Sequence, residues 1–136
     1  MAASTKGKLP SAAVIDASFV LARLFPDEKH TPKVAAYFDR FAQGKLKLIA
    51  PQLLKYEVTN ALRSALVQKR LTSRTAKQLL QEFLKLPIDY LEVEFEQVLT
   101  LAVKYKISAY DAAYVFLVKK KQLPLLSLDK KLAKVA

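Results

Sequence analysis

Four acids in this chain stand where an ionised carboxylate is costly: Asp16, Glu57, Asp111 and Asp129. Asp16 closes the short apolar run Val14-Ile15 and is followed almost at once by Phe19-Val20-Leu21-Ala22. Glu57 lies at the flank of an apolar stripe one turn before Ala61, with Asn60 beside it. Asp111 opens the most apolar helical stretch, beside Ala112, Ala113, Val115 and Phe116, and Asp129 follows Leu125-Leu126-Ser127-Leu128. A carboxylate taken out of water costs several kcal/mol unless something pairs with it. If the four meet, they repel one another and some keep protons at neutral pH. Hard divalent cations with a preference for oxygen, Mg²⁺ or Mn²⁺, resolve that conflict. Such ions activate water and clamp the oxygens of an in-line displacement at phosphorus.

Taken singly, each acid has a plain structural explanation. Asp16 and Asp129 suit helix N-caps, Asp111 suits the third position of a capping box begun by Ser108, and Glu57 suits a helix boundary. Their joint placement is more telling, and it depends on the elements around them. Ala13 to Asp16 reads as a buried strand, followed by a helix from Ser18 to Phe25 stopped by Pro26. Pro32 to about Ala42 is a second helix, ended by Gly44. Leu46 to Ala50 is a second strand. Pro51 opens a long helix to about Lys69, whose stripe includes Leu54, Val58, Leu62 and Ala65. Thr72 or Ser73 caps the next helix, which ends before Pro87. Ile88 to Val93 is a weaker third strand, and Glu94 to Lys104 a helix with the charge bias the macrodipole prefers. Ser108 to about Lys120 is apolar nearly all round and so buried. Pro124 to Ser127 is a fourth strand, and Lys130 to Val135 a last helical turn or two.

Strands alternating with helices and few hairpin signals predict an α/β layer structure around a parallel sheet. In such a sheet, sites form outside the carboxyl ends of the strands. Asp16 and Asp129 each follow a predicted strand. Glu57 and Asp111 lie in early turns of predicted helices, which begin at that same edge. The pattern therefore predicts that four acids far apart in sequence converge.

Composition narrows the partners and excludes other chemistries. The 136 residues suit a single domain over 11–136 behind a flexible basic tail, residues 1–10. With 23 basic residues against 12 acidic, the formal charge is +11, which favours an anionic partner such as nucleic acid. Cysteine is absent, which excludes disulfides, thiolate zinc sites and a cysteine nucleophile. The single histidine, His30, sits in the polar stretch from Asp27 to Pro32 and reads as a loop residue rather than a base. Neither glycine, Gly7 or Gly44, belongs to a phosphate-cradling loop. No run approaches the ~20 apolar residues of a membrane span, so a cytoplasmic protein with no membrane partner is expected. Lys45, Lys47, Lys55, Arg63, Lys69, Arg70 and Lys119 to Lys121 are candidates for contact with a nucleic-acid backbone.

These residues resemble a known family. Val14-Ile15-Asp16-Ala17-Ser18, Pro51 through Glu57-Val58-Thr59-Asn60-Ala61-Leu62, Ile107-Ser108-Ala109-Tyr110-Asp111-Ala112-Ala113-Tyr114 and Leu126-Ser127-Leu128-Asp129-Lys130-Lys131-Leu132 stand in the order of the PIN-domain ribonucleases. The resemblance is closest to the toxin halves of bacterial and archaeal toxin–antitoxin pairs, the VapC type. It implies a three-layer α/β/α sandwich whose central parallel sheet has strand order 3-2-1-4, with four strands, or five where an edge strand is added. It also implies that Asp16, Glu57, Asp111 and Asp129 form the catalytic, metal-binding set, and that Ser18, Asn60 and Ser127 support it. An RNA substrate, Mg²⁺ or Mn²⁺, a homodimer and a cognate antitoxin protein come with the same resemblance. Serine stands at position 127 where the family usually has threonine, which keeps the hydroxyl. Two other readings stay open. One is a catalytically inactive PIN-like module that binds RNA or protein. The other is a phosphotransfer site with Asp16 as acceptor, which lacks the second acid it needs where Ser18 stands.

Overall fold

The computed structural model describes residues 9–25 and 32–136. The β-branched pair Val14-Ile15 lies within β1 (Ala12–Ile15), an inner strand of a four-stranded sheet. β2 (Lys47–Pro51) lies on one side of β1 and β4 (Leu125–Leu126) on the other, and β3 (Asp89–Leu91) pairs with β2. All pairings are parallel and the order is β3-β2-β1-β4, the predicted 3-2-1-4. Among the described residues there is no fifth strand.

Alternation along the strands sorts side chains onto two faces. Ala13, Ile15, Leu48 and Ala50 point into a core shared with α1 (Ala17–Leu24), α2 (Pro32–Ala42), α3 (Leu53–Val67) and α4 (Ser73–Leu84). Val14 and Ile49 point the other way, against α5 (Phe95–Tyr105) and α6 (Ala109–Lys121). Helices therefore cover both faces, which makes the three-layer α/β/α sandwich. Burial on both faces is also why these strands read as near-continuous apolar runs. α6 is buried without interruption from Ala112 to Leu117, as its all-round apolar sequence requires. A short final helix, α7 (Lys130–Val135), follows β4.

Some boundaries differ from the sequence pattern for identifiable reasons. Pro51 does not open the long helix. It ends β2, level with Leu91 of β3, at the end of a ladder where a missing N–H costs least. α3 then starts at Leu53 and stops at Val67. β3 is three residues long rather than six, because only Asp89 to Leu91 reach β2. Of the two expected caps of α4, Thr72 is the one used, accepting a hydrogen bond from Thr75 N–H at 3.1 Å. Gly44 takes a left-handed φ of +73° just past α2, the conformation for which glycine is suited. Most of the basic tail, Pro26 and His30 lie outside the described residues. Among the described residues, no helix is long and apolar enough to cross a membrane.

Candidate active site

A parallel sheet puts the carboxyl ends of all four strands at one edge, and the first acid is fixed there by its own backbone. β1 ends at Ile15, and Asp16 caps α1 by accepting from Phe19 N–H at 3.1 Å. Asp16 is the one buried charged residue among those described, only 5% exposed. Two hydroxyls hold it. Ser18 Oγ donates to Oδ1 at 2.7 Å, and Ser127 Oγ, from the turn after β4, donates to Oδ2. Each hydroxyl also accepts a backbone N–H from the β4–α7 turn: Leu128 N–H to Ser18 at 2.8 Å and Asp129 N–H to Ser127 at 3.0 Å. The two serines thus bind the turns after β1 and β4 into one polar unit around a buried carboxylate.

Glu57 is half-buried in the second turn of α3. Its Oε1 accepts a 2.6 Å hydrogen bond from Tyr114 Oη, a side chain only 1% exposed on α6. Asp111 lies one turn before Tyr114. Ser108 caps α6 by accepting from Asp111 N–H at 3.0 Å, but this is only half of a capping box. The Asp111 carboxylate itself accepts no hydrogen bond among the described residues, so capping does not use it. Asp129 caps α7 through Oδ1, which accepts from Lys131 N–H and Leu132 N–H at 3.0 and 3.1 Å.

Electrostatics shows that the four acids share one neighbourhood. Burial pushes Asp16 above the ordinary carboxylate range, against its hydrogen bonds from Ser127, Ser18 and Phe19, and the charge of Asp129 adds to the rise. Burial also raises Glu57, opposed by the Tyr114 hydrogen bond and helped by the charges of Asp16 and Asp111. Asp111 is raised by burial and then by Asp129 and Asp16, while Lys131 draws it down. Asp16, Glu57 and Asp111 therefore each feel at least one other acid across large gaps in sequence. Among the described residues, no three of them close into a finished metal cage. The donor set consists of carboxylate oxygens, the kind that hard divalent cations take.

The remaining expected residues divide. Ser18 and Ser127 touch Asp16 directly. Asn60 is exposed one turn beyond Glu57 and makes no hydrogen bond to any of the acids. The i+3 spacing that placed Asn60 beside Glu57 carries it round toward solvent. Tyr114 belongs to the site although the sequence pattern gave it no role. Its signal was a hydroxyl within an otherwise wholly buried apolar stretch, where a partner is obligatory.

Several expected basic contacts lie far from the acids. Lys47 begins β2, level with Ala12 and so at the opposite sheet edge, where it pairs with Asp89 at 3.0 Å. Lys119 to Lys121 end α6, roughly 12–15 Å along the helix from Asp111 at about 1.5 Å per residue. The lysines at the acid edge are Lys55, in the first turn of α3, and Lys130 and Lys131, in the first turn of α7.

Comparison with known proteins agrees with this geometry. The PIN domain family model matches residues 13–136. Ribonuclease VapC3 of Pyrobaculum aerophilum is 33% identical over 125 residues, which cover 88% of this chain and 91% of that protein. The crystal structure of PAE2754 from Pyrobaculum aerophilum shares the fold with a TM-score of 0.72 at 24% identity, covering 92% of this chain and 79% of that one. With the sheet order, the acid edge and a family match over nearly the whole length in agreement, the chain belongs to the PIN-domain family.

Proposed function

We propose that this protein is a Mg²⁺- or Mn²⁺-dependent endoribonuclease that hydrolyses RNA phosphodiester bonds as the toxin of a toxin–antitoxin pair. The observation that carries the reading is the coupling of Asp16, Glu57, Asp111 and Asp129 at one sheet edge, with three of them pushed up by burial and by one another. Folding alone gives no reason to gather them. The relative named as a ribonuclease supports the substrate class, and the basic charge supports an anionic partner.

Asp16 and Asp111 are assigned as the closest cation ligands, with Glu57 and Asp129 placing a second ion or its waters. A divalent ion bound there supplies Lewis acidity and neutralises charge at the scissile phosphate. The protein's own groups do the rest. Ser18 and Ser127 aim Asp16, and Tyr114 occupies Oε1 of Glu57, leaving Oε2 to take the proton of the attacking water. Lys55, Lys130 and Lys131 hold the RNA backbone beside the acids. A cognate antitoxin, a homodimer and a cytoplasmic setting complete the reading. That no three acids among the described residues close into a metal cage favours a second reading, an inactive PIN-like module that binds RNA or protein.

Cleavage of structured RNA separates the two. Purified protein is expected to cut with Mg²⁺ or Mn²⁺ and to stop on adding EDTA. Asp111→Asn should lower cleavage at least about a hundredfold, since a ligand charge is lost. It should melt near the parent temperature, because Ser108 caps the Asp111 backbone and not its side chain. No cleavage with either ion returns the inactive reading. Cleavage indifferent to EDTA and to Asp111→Asn sinks the metal mechanism.

A further inference from the structure

Three exposed aromatic rings from three helices line one groove. Tyr56 of α3, Phe95 of α5 and Tyr110 of α6 are 76%, 79% and 65% exposed, and the groove they line holds about 390 Å³. Pro51 and Leu91, the last residues of β2 and β3, line it too, so it sits outside the carboxyl ends of those strands. Asp16 and Asp129 follow β1 and β4, the other two strands at the same edge. With sheet strands about 4.8 Å apart, the groove lies roughly 10 Å along the edge from these acids. Tyr56 and Tyr110 immediately precede Glu57 and Asp111. Folding gives no reason to expose three rings here, and contiguous apolar exposure marks an interaction surface.

Chemistry then says what fits. Exposed aromatic rings are stacking platforms for unpaired bases. Glu92 is the one charged residue lining the groove; it is exposed and makes no ion pair among the described residues. A carboxylate only accepts hydrogen bonds, so it suits the donor edge of a base and repels a phosphate. Guanine presents its ring N–H and its amino group side by side, a match for two carboxylate oxygens. A wholly apolar partner would leave Glu92 covered without a donor. Phosphates are drawn instead to Lys55, one residue before Tyr56, and to Lys130 and Lys131.

We propose that this groove is a base subsite. An unpaired base of the nucleotide beside the cleaved bond stacks on Tyr56 and Tyr110, Glu92 accepts from its donor edge, and guanine is preferred. The proposal rests on the ribonuclease reading and adds a substrate class to it, RNA that is single-stranded at the cut. Tyr56, Tyr110 and Glu92 select the base and take no part in breaking the bond.

Binding of short single-stranded RNAs to the full chain, in EDTA so that no cleavage occurs, tests it. An oligouridylate carrying one guanosine should bind at least about fivefold tighter than the plain oligouridylate, the scale of one good bidentate pair. Tyr56→Ala and Tyr110→Ala should each weaken the guanosine strand about tenfold, the scale of one lost stack. Both should melt as the parent does, because the positions are exposed. Tyr110→Phe keeps the ring and should keep the affinity. Glu92→Gln should bring the two strands to nearly equal affinity, and a duplex of the same sequence should bind parent and tyrosine variants alike. Alanine variants that bind as the parent does, an equal loss on duplex, or a guanosine preference that is absent or survives Glu92→Gln overturns the proposal. So does sedimentation in which Tyr110→Ala makes a dimeric parent monomeric, since a second copy then fills the groove. Cleavage with Mn²⁺ on the same samples reports separately: a parent that binds as expected but never cuts ends the catalytic reading, and a cutting parent with indifferent tyrosines ends only the subsite.

Discussion

The hydrogen bond from Tyr114 Oη to Glu57 Oε1, at 2.6 Å, ties a half-buried carboxylate on α3 to the helix that carries Asp111. One oxygen of Glu57 is thereby fixed, and the other takes no hydrogen bond among the described residues. Partners behind a ligand typically change cation affinity 10–100-fold when removed. Tyr114→Phe keeps the buried ring and deletes only the hydroxyl. It should weaken Mn²⁺ binding by calorimetry about tenfold, with no further loss when combined with Glu57→Gln. Equal Mn²⁺ affinity in Tyr114→Phe and parent would leave the hydroxyl a packing feature. The same residues set a pH dependence of stability. Asp16, Glu57 and Asp111 hold protons more tightly folded than unfolded. Between the ordinary and the raised values the folded state binds more protons, so stability is greatest below that window and falls as pH rises through it. The metal-free protein should therefore melt progressively lower as pH climbs from about 4, and Mn²⁺ at neutral pH should recover the loss. A melting temperature that rises across that span without metal would contradict the assignment of these acids as mutually strained.

Between residue and molecule, the working element is the pair of turns after β1 and β4. Ser127→Ala leaves the buried Asp16 short of a donor and unlinks the turns, which should cost about 1–3 kcal/mol. For a chain of this length that is several degrees in melting temperature, and Ser127→Thr should restore it. A melting temperature unchanged in Ser127→Ala would show that the two turns hold without the hydroxyl. Element-level reading from sequence worked where periodicity was strong. The strand order came from the family resemblance, while the parallel sheet, the buried α6 and the edge that gathers the acids followed from alternation and helix starts. It worked less well where one residue has two compatible uses. Pro51 suits both a helix start and a strand end, and pairing with β3 decided between them. For Asp16 and Asp129, capping looked like a rival to site duty. In the folded chain Asp129 caps through one oxygen, and Asp16 caps while its second oxygen takes the Ser127 hydroxyl, so capping occupies only one oxygen of each. Tyr114 could not be placed from sequence because its partner lies 57 positions away, on another helix.

At the scale of the whole molecule, net charge points to an anionic partner but not to its path. Charge patterns alone do not say which edge of a sheet a lysine occupies, and that is where the expected contacts scattered. Lys47 is held by Asp89 at the edge away from the acids, and Lys120 by Glu94 at 3.2 Å. Lys130 and Lys131, by contrast, follow Asp129 directly, and Lys131 acts on Asp111. On the proposed reading, an RNA strand cut at the acids passes them. Binding of a single-stranded RNA, measured without divalent ions so that no cleavage occurs, should therefore weaken with rising salt. Its log–log slope should fall by about 1 or more when Lys130 and Lys131 are both changed to Gln, as each lost phosphate contact removes about 0.7. Changing Lys119, Lys120 and Lys121 to Gln removes more charge but, at the far end of α6, should leave the slope nearly unaltered. If the far lysines prove to carry the slope and the near pair does not, the RNA track does not cross the acid edge and the assignment of that edge to cleavage fails with it.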